Sequence, residues 1–325
     1  MIEIAIPAQP SPGDTFNRRD FDHWKTIRLA AMVPDKIMTG RDIKMTDFHP
    51  ANDIIGLERM KADGIGQGQI IRRREDGSLQ YLHDELTIEE PLEIRIGDQT
   101  VATTMRTPGH DEELTAGFLV TEAIAYRTDD IVKLSNRENV STVRLRAGLK
   151  PKLNSAQRFG TISSSCGLCG KQSIDAIRQH FPPINLPSFR IDIATMLSLP
   201  DKLRDKQSDF ARTGGIHAAG IFDSTGRPLI VREDIGRHNA VDKAIGRAFL
   251  DAKLPLDRHI LLVSGRASFE ILQKALAARI PIVASVSAPS SLAMEFAREN
   301  NQTLVGFLRP PSFNIYSHVE RVILN

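Results

Sequence analysis

Cysteine is scarce: two residues in 325, both in one Cys-x-x-Cys, Cys166-Gly167-Leu168-Cys169. A disulfide framework is excluded, and this usage fits a reducing compartment. A four-cysteine zinc site is excluded too, because no second pair exists. No apolar run approaches the ~18 residues of a membrane-spanning helix. The start, Met1-Ile2-Glu3-Ile4-Ala5-Ile6-Pro7, lacks the basic flank and apolar stretch of a signal peptide. Excess charge is missing as well. Lys and Arg number 42 against 40 Asp and Glu, a net of +2. Nothing in that balance calls for nucleic acid or a membrane surface. The expectation is a cytoplasmic protein with no nucleic-acid partner and no membrane span.

What is there begins with the cysteines. Phe159, Thr161 and Ile162 read as a short strand, and Ile174, Ala176 and Ile177 recur at helical spacing. The motif then sits near a helix N-terminus, where free N–H groups and the dipole favour thiolate over thiol. Lys171 adds positive charge. Four uses compete: an inert buried pair, half a zinc site completed by His217 and His238 or by a second chain, a thioredoxin-like redox couple, and a sulfur-carrying nucleophile.

Three regions are expected along the chain. Residues 1–68 carry no sustained period and read as a poorly structured extension. Residues 69–158 read as a small β-rich/α subdomain. Leu92, Ile94 and Ile96 alternate into the turn Gly97-Asp98, and Val101, Thr103 and Met105 alternate on the return. A helix then opens at His110-Asp111-Glu112-Glu113, with acid in its first turn. Val143 and Leu145 suggest another strand. Residues 159–325 read as a layered α/β core. Strands are expected at 217–222, 228–231, 260–263, 282–286 and 303–308, and helices at 193–207, 238–250, 268–278 and 290–300. Uniformly apolar strands alternating with helices mean a sheet covered on both faces.

In such sheets ligands collect beyond the strand C-termini. Three polar turns lie there: Glu233-Asp234-Ile235-Gly236-Arg237-His238, Ser264-Gly265-Arg266 and Ser287-Ala288-Pro289-Ser290-Ser291. Each leads into a helix N-terminus. Free N–H groups, the serine hydroxyls, Arg237 and Arg266 suit an anionic ligand. None of the three is a Walker loop or a dinucleotide fingerprint. His238 is either a helix-start contact or a reacting group.

The sequence also resembles the FdhD family of sulfur carrier proteins. The resemblance rests on Thr107-Pro108-Gly109-His110-Asp111-Glu112-Glu113 and its continuation to residue 122, and on Ser165-Cys166-Gly167-Leu168-Cys169-Gly170. Residues 213–219, 233–243, 264–268, 287–293 and 306–309 extend it in the same order. It implies a sulfurtransferase that takes persulfide sulfur from a cysteine desulfurase on Cys166, with Cys169 as partner. The acceptor it implies is a molybdenum or tungsten bis(molybdopterin guanine dinucleotide) cofactor, and the client is formate dehydrogenase apoenzyme. It places a cofactor-binding stretch at Phe307, Leu308, Arg309, Pro310, Pro311 and Ser312, where Pro310-Pro311 departs from the expected pattern. It further implies a homodimer and a cytidine-deaminase-like core, a mixed sheet with helices on both faces. No stable zinc is expected, because Asn239-Ala240 stands where a deaminase has its glutamate and Ser264-Gly265-Arg266 lacks the zinc cysteines. A thiol–disulfide oxidoreductase and a non-enzymatic cofactor chaperone are the alternatives.

Overall fold

The computed structural model describes residues 58–59, 64–149, 181–185 and 189–324. The expected strand–turn–helix around Cys166 and Cys169, and nearly all of the expected extension, lie outside the described residues. The described residues all belong to one compact unit, Ile54–Asn325.

The unit opens with β1 (Glu58–Arg59), β2 (Ile65–Arg73) and β3 (Leu79–Thr87), an antiparallel sheet in the order β1-β2-β3. β2 therefore starts four residues before the expected boundary at 69. Ile71, Leu79 and Tyr81 are exposed on this ribbon. With neither face well covered, it carries no alternation that a sequence pattern would register.

The expected hairpin follows as β4 (Glu90–Ile96) and β5 (Gln99–Arg106), and helix α1 (Asp111–Thr121) comes after it. β6 (Ile131–Arg137) and β7 (Val140–Leu145) complete a four-stranded sheet ordered β5-β4-β7-β6. Leu92, Ile94, Val101, Ala102 and Leu114 form a small core beneath it. The other side of α1, through Ala116, Leu119 and Val120, enters the main core.

The second half runs β8 (Ile191–Asp192), α2 (Ile193–Arg204), α3 (Ser208–Thr213), β9 (His217–Phe222), β10 (Pro228–Asp234) and α4 (Arg237–Leu250). It continues β11 (Ile260–Val263), α5 (Phe269–Ala277), β12 (Ile282–Ser285), α6 (Ser291–Glu299), β13 (Thr303–Arg309), β14 (Ser312–Ser317) and β15 (Val322–Ile323). The helix expected over 193–207 thus ends at Arg204, and a second helix, α3, starts just beyond the expected span. Glu233 causes the restart: its carboxylate accepts from the Asp209 and Phe210 N–H groups at 3.0 and 2.9 Å, capping α3.

Six strands form the central mixed sheet, in the order β10-β9-β11-β12-β13-β14. Alternate residues of β11 go to opposite faces, as the pleat requires. Leu261 and Val263 join Val241, Leu272 and Phe296 from α4, α5 and α6. Ile260 and Leu262 join Met196, Leu199 and Leu203 from α2. Both faces are covered, so β11 and β12 are buried end to end. No helix among the described residues is long and apolar enough to cross a membrane.

The two halves are joined through α1 and α4. Glu113 on α1 accepts from Arg232 on β10, Nη2 to Oε1 at 2.8 Å, and lies 3.5 Å from His110. Burial opposes its ionisation, but Arg232 and His110 outweigh burial and hold the carboxyl at about 2. A depressed carboxyl contributes stability above the unfolded value of 4.5 and loses it as pH falls toward 2. The contribution is about 3 kcal/mol. Glu113→Gln is expected to lose most of that at pH 7 and little at pH 2, read by urea unfolding at both. An equal loss at both pH values would remove this ion pair from the acid response.

Candidate functional site

Strand direction brings the expected turns together. β9 is antiparallel to both β10 and β11, while β11, β12 and β13 run parallel. The C-termini of β10, β11, β12 and β13 therefore share one edge of the sheet, with the N-terminus of β9. Residues 235–238, 264–268 and 286–291 leave the sheet there, beside 307–309, the last residues of β13.

Backbone bonds lock these turns to one another. Ser264 N–H donates to Ala218 O at 3.0 Å, and Ala218 N–H donates to Ser264 Oγ at 2.9 Å. Ser285 Oγ donates to Gly265 O at 2.7 Å. Ser290 N–H reaches Ala267 O, and Phe307 N–H reaches Ser287 O, both at 3.0 Å. Arg309 Nε donates to Val286 O at 2.9 Å. The turn at Gly265 is close-packed: a Cβ there would stand 3.2 Å from His217 Nδ1 and 3.6 Å from Arg237 Cδ.

A buried polar pin sets the height of α4 over this edge. Asp234 is fully buried and pairs with buried Lys243, Nζ to Oδ2 at 2.7 Å. Its carboxylate also accepts from the N–H groups of Gly236 and Thr107 and from Asn239 Nδ2. Asn239 Nδ2 further donates to Met105 O at 2.7 Å. Asn239 thus ties α4 to the end of β5. Of the residues that carry the resemblance, Thr107, Asp234, Asn239 and Lys243 are scaffold beneath the start of α4, which carries Arg237 and His238.

The edge is cationic. His217, Arg237, His238 and Arg266 gather there, with Glu270 2.9 Å from His238 Nε2 and Ser268 Oγ 3.1 Å from the same nitrogen. Burial pushes the His217 imidazole down, and the charges of Arg237, His238 and Arg266 push it further, against Asp234. Burial and the neighbouring Arg266 also lower Arg237, against Glu270. Arg237 Nε is buried with no hydrogen-bond partner. Two guanidinium groups, Arg237 and Arg266, held together at this cost are chemically suited to an anion.

The expected site residues divide on inspection. Gly236, Arg237, His238, Ser264, Gly265, Arg266, Ser287, Ser290, Phe307 and Arg309 meet at the edge. Two of the hydroxyls already serve the fold: Ser264 Oγ accepts from Ala218, and Ser290 Oγ accepts from Ala293 N–H at 3.2 Å, capping α6. Leu308 is fully buried with the α2 face of the sheet. Pro310 and Pro311 form the turn between β13 and β14, since Arg309 pairs with Ser312. His217, Ser268 and Glu270 are site neighbours that the edge argument omitted. Ser268 and Glu270 follow Ser264-Gly265-Arg266 directly, and reading that turn on into its helix would have found them.

The profile of the FdhD/NarQ family matches residues 87–323. The chain belongs to this family. Curated FdhD relatives agree along most of their length. The sulfur carrier protein FdhD of Streptomyces coelicolor is 48% identical over 268 residues, 79% of this chain and 95% of that protein. The sulfur carrier protein FdhD of Mycolicibacterium paratuberculosis is 46% identical over 277 residues, 81% of this chain and 98% of that protein. That of Sulfurisphaera tokodaii is 45% identical over 244 residues, 74% of this chain and 92% of that protein. The fold is similar to a crystal structure from Desulfotalea psychrophila, provisionally assigned as a formate dehydrogenase accessory protein. That likeness has a TM-score of 0.66 at 24% identity and covers 80% of this chain and 100% of the other.

Proposed function

We propose that this chain is a sulfur carrier in formate dehydrogenase maturation. The observation that carries the reading is the 48% identity to a sulfur carrier protein FdhD, covering 95% of it. In this reading the Cys166 thiolate attacks the outer sulfur of a cysteine desulfurase persulfide. The donor S–S bond breaks, the donor leaves as thiolate, and Cys166 holds the persulfide. Attack of Cys169 thiolate on Cys166 Sγ then forms a Cys166–Cys169 disulfide and expels the outer sulfur as sulfide. The sulfide becomes a ligand of a molybdenum or tungsten bis(molybdopterin guanine dinucleotide) acceptor, and a cellular dithiol reduces the disulfide for the next cycle.

The cationic edge supports this acceptor, whose pyrophosphates are anionic. The protein works as a homodimer in the cytoplasm, between the desulfurase and formate dehydrogenase apoenzyme, and its core shares the layering of cytidine deaminases. Mass spectrometry after incubation with a desulfurase and cysteine tests the sulfur step. One added sulfur on the peptide containing Cys166 is expected, removable by dithiothreitol. No added sulfur on Cys166 even in Cys169→Ala, which has no second thiol to expel it as sulfide, would make the pair a redox couple instead.

A further inference from the structure

The outer face of the four-stranded sheet carries a charge arrangement that works against the fold. Ile131, Leu134, Val143 and Leu145 of β6 and β7 turn inward and pack into the main core. The residues between them point the other way. On that side Lys133 lies directly opposite Arg144, Ser135 opposite Thr142, and Arg137 opposite Val140. Lys133, Ser135, Arg137 and Arg144 are exposed. Like charges directly opposite each other on antiparallel strands destabilise the pair, so Lys133 facing Arg144 is a feature the sheet does not need for itself.

The face neutralises another of its cations and leaves these alone. β4 runs parallel to β7 and places Glu93 beside Val140 and Arg95 beside Thr142. Glu93 accepts from Arg95 Nε at 2.9 Å, from Arg95 Nη2 at 2.8 Å and from Thr100 Oγ1, so its carboxylate is committed. Lys133, Arg137 and Arg144 have no ion pair among the described residues. Lys133 and Arg144 form one station, and Arg137 stands about 14 Å along β6 from it, with the hydroxyls of Ser135 and Thr142 between. None of the four strands carries an aromatic residue. The face therefore offers bases no stacking platform. Flat, cationic and bearing hydroxyls, it is complementary to carboxylates on a protein surface.

We propose that this outer face docks an acidic surface of the sulfur-donating desulfurase, whose carboxylates meet Lys133, Arg144 and Arg137. The inference rests on the sulfur-carrier reading and assigns the surface on which the donor lands. Two placements favour the donor over the acceptor. α1 lies between this sheet and α4, so a protein docked here leaves the cationic edge open. β7 is also the last described strand before the cysteine pair. Carboxylates from the donor relieve the repulsion between Lys133 and Arg144, so what the free fold loses at this pair is regained on docking.

Calorimetric titration of the full chain with a cysteine desulfurase tests the docking, and mass spectrometry of Cys166 follows sulfur loading in the same mixtures. Arg144→Glu turns the like pair into an opposite pair. Its urea midpoint is expected to equal or exceed that of the unaltered chain, while desulfurase binding weakens about tenfold or more. The triple variant Lys133→Glu, Arg137→Glu, Arg144→Glu is expected to bind more weakly still and to lose the salt dependence of the unaltered chain. Loading of Cys166 from glutathione persulfide, which needs no docking, is expected to proceed at the same rate in both variants. No desulfurase binding by the unaltered chain would overturn the proposal. So would an unchanged affinity in the triple variant, equally slowed loading from glutathione persulfide, or Arg144-dependent binding of RNA in place of the desulfurase. Charge-sensitive docking with no sulfur on Cys166 would end the carrier reading and keep the docking face. Sulfur on Cys166 with docking indifferent to these charges would do the reverse.

Discussion

Cys166→Ala is expected to reduce formate dehydrogenase activity to the level of a strain lacking the protein, while the purified variant unfolds in urea at the same midpoint as the unaltered chain. The size of the effect follows from the chemistry. Alanine has no nucleophile, so no persulfide forms at position 166, and Cys169 is the one thiol that remains. Cys169 alone accepts sulfur but has no second thiol to expel it as sulfide. Cys169→Ala is therefore expected to gain a sulfur on Cys166 and release it slowly. A fully active Cys166→Ala strain would end the sulfur-carrier reading, and activity lost together with stability would show a structural role.

Gly246→Ala is expected to cost about 3 kcal/mol or more, beyond the usual range of a single added methyl group. The reason is the approach of α1 to α4. A Cβ on Gly246 would stand 1.8 Å from the carbonyl oxygen of Glu113 and 2.6 Å from the N–H nitrogen of Gly117. A Cβ on Gly117 would stand 1.9 Å from the carbonyl oxygen of Asp242. All three neighbours are backbone, so no side chain can swing away and the helices must part. Parting them also strains the buried contacts of Asp242, whose carboxylate pairs with Lys274 Nζ at 2.7 Å and accepts from Thr121 Oγ1 at 2.9 Å. Gly215→Ala is the control, since its Cβ meets nothing closer than 3.5 Å. Urea unfolding of both variants checks the pair. Equal midpoints for Gly246→Ala and Gly215→Ala would refute the close approach.

Much of the central sheet was legible before any coordinates. Ile260–Val263 and Ile282–Ser285 are buried on both sides, so their sequences are apolar throughout except for Ser285 at the end of β12. The β4–β5 hairpin was legible because one side of it is buried, giving strict alternation through Leu92 and Ile94. The β2–β3 ribbon was not, because apolar Leu79 and Tyr81 are exposed while polar Gln80 and Asp84 are half-buried, so burial does not follow residue type. β14 was missed for a related reason: Pro310 and Pro311 read as part of a binding stretch rather than as a hairpin turn. The break between α2 and α3 depends on the Glu233 carboxylate, which arrives from a strand some two dozen residues later.

The candidate site divides the same way. The sequence by itself determined the family, through ordered motifs from residue 107 to 309, and marked the one cysteine pair and the polar turns after each strand. Those are local properties of residue type and spacing. Tertiary structure decided which turns meet, through the reversed direction of β9 that returns β10 to the edge shared by β11, β12 and β13. It decided that Leu308 is core and Phe307 is not, through a one-residue bulge that turns neighbouring side chains apart. It also decided that Gly117 and Gly246 must be bare, since backbone from a distant helix occupies the space beside each. Contacts of that range exist only once strand order and helix spacing are set, and no local pattern encodes them.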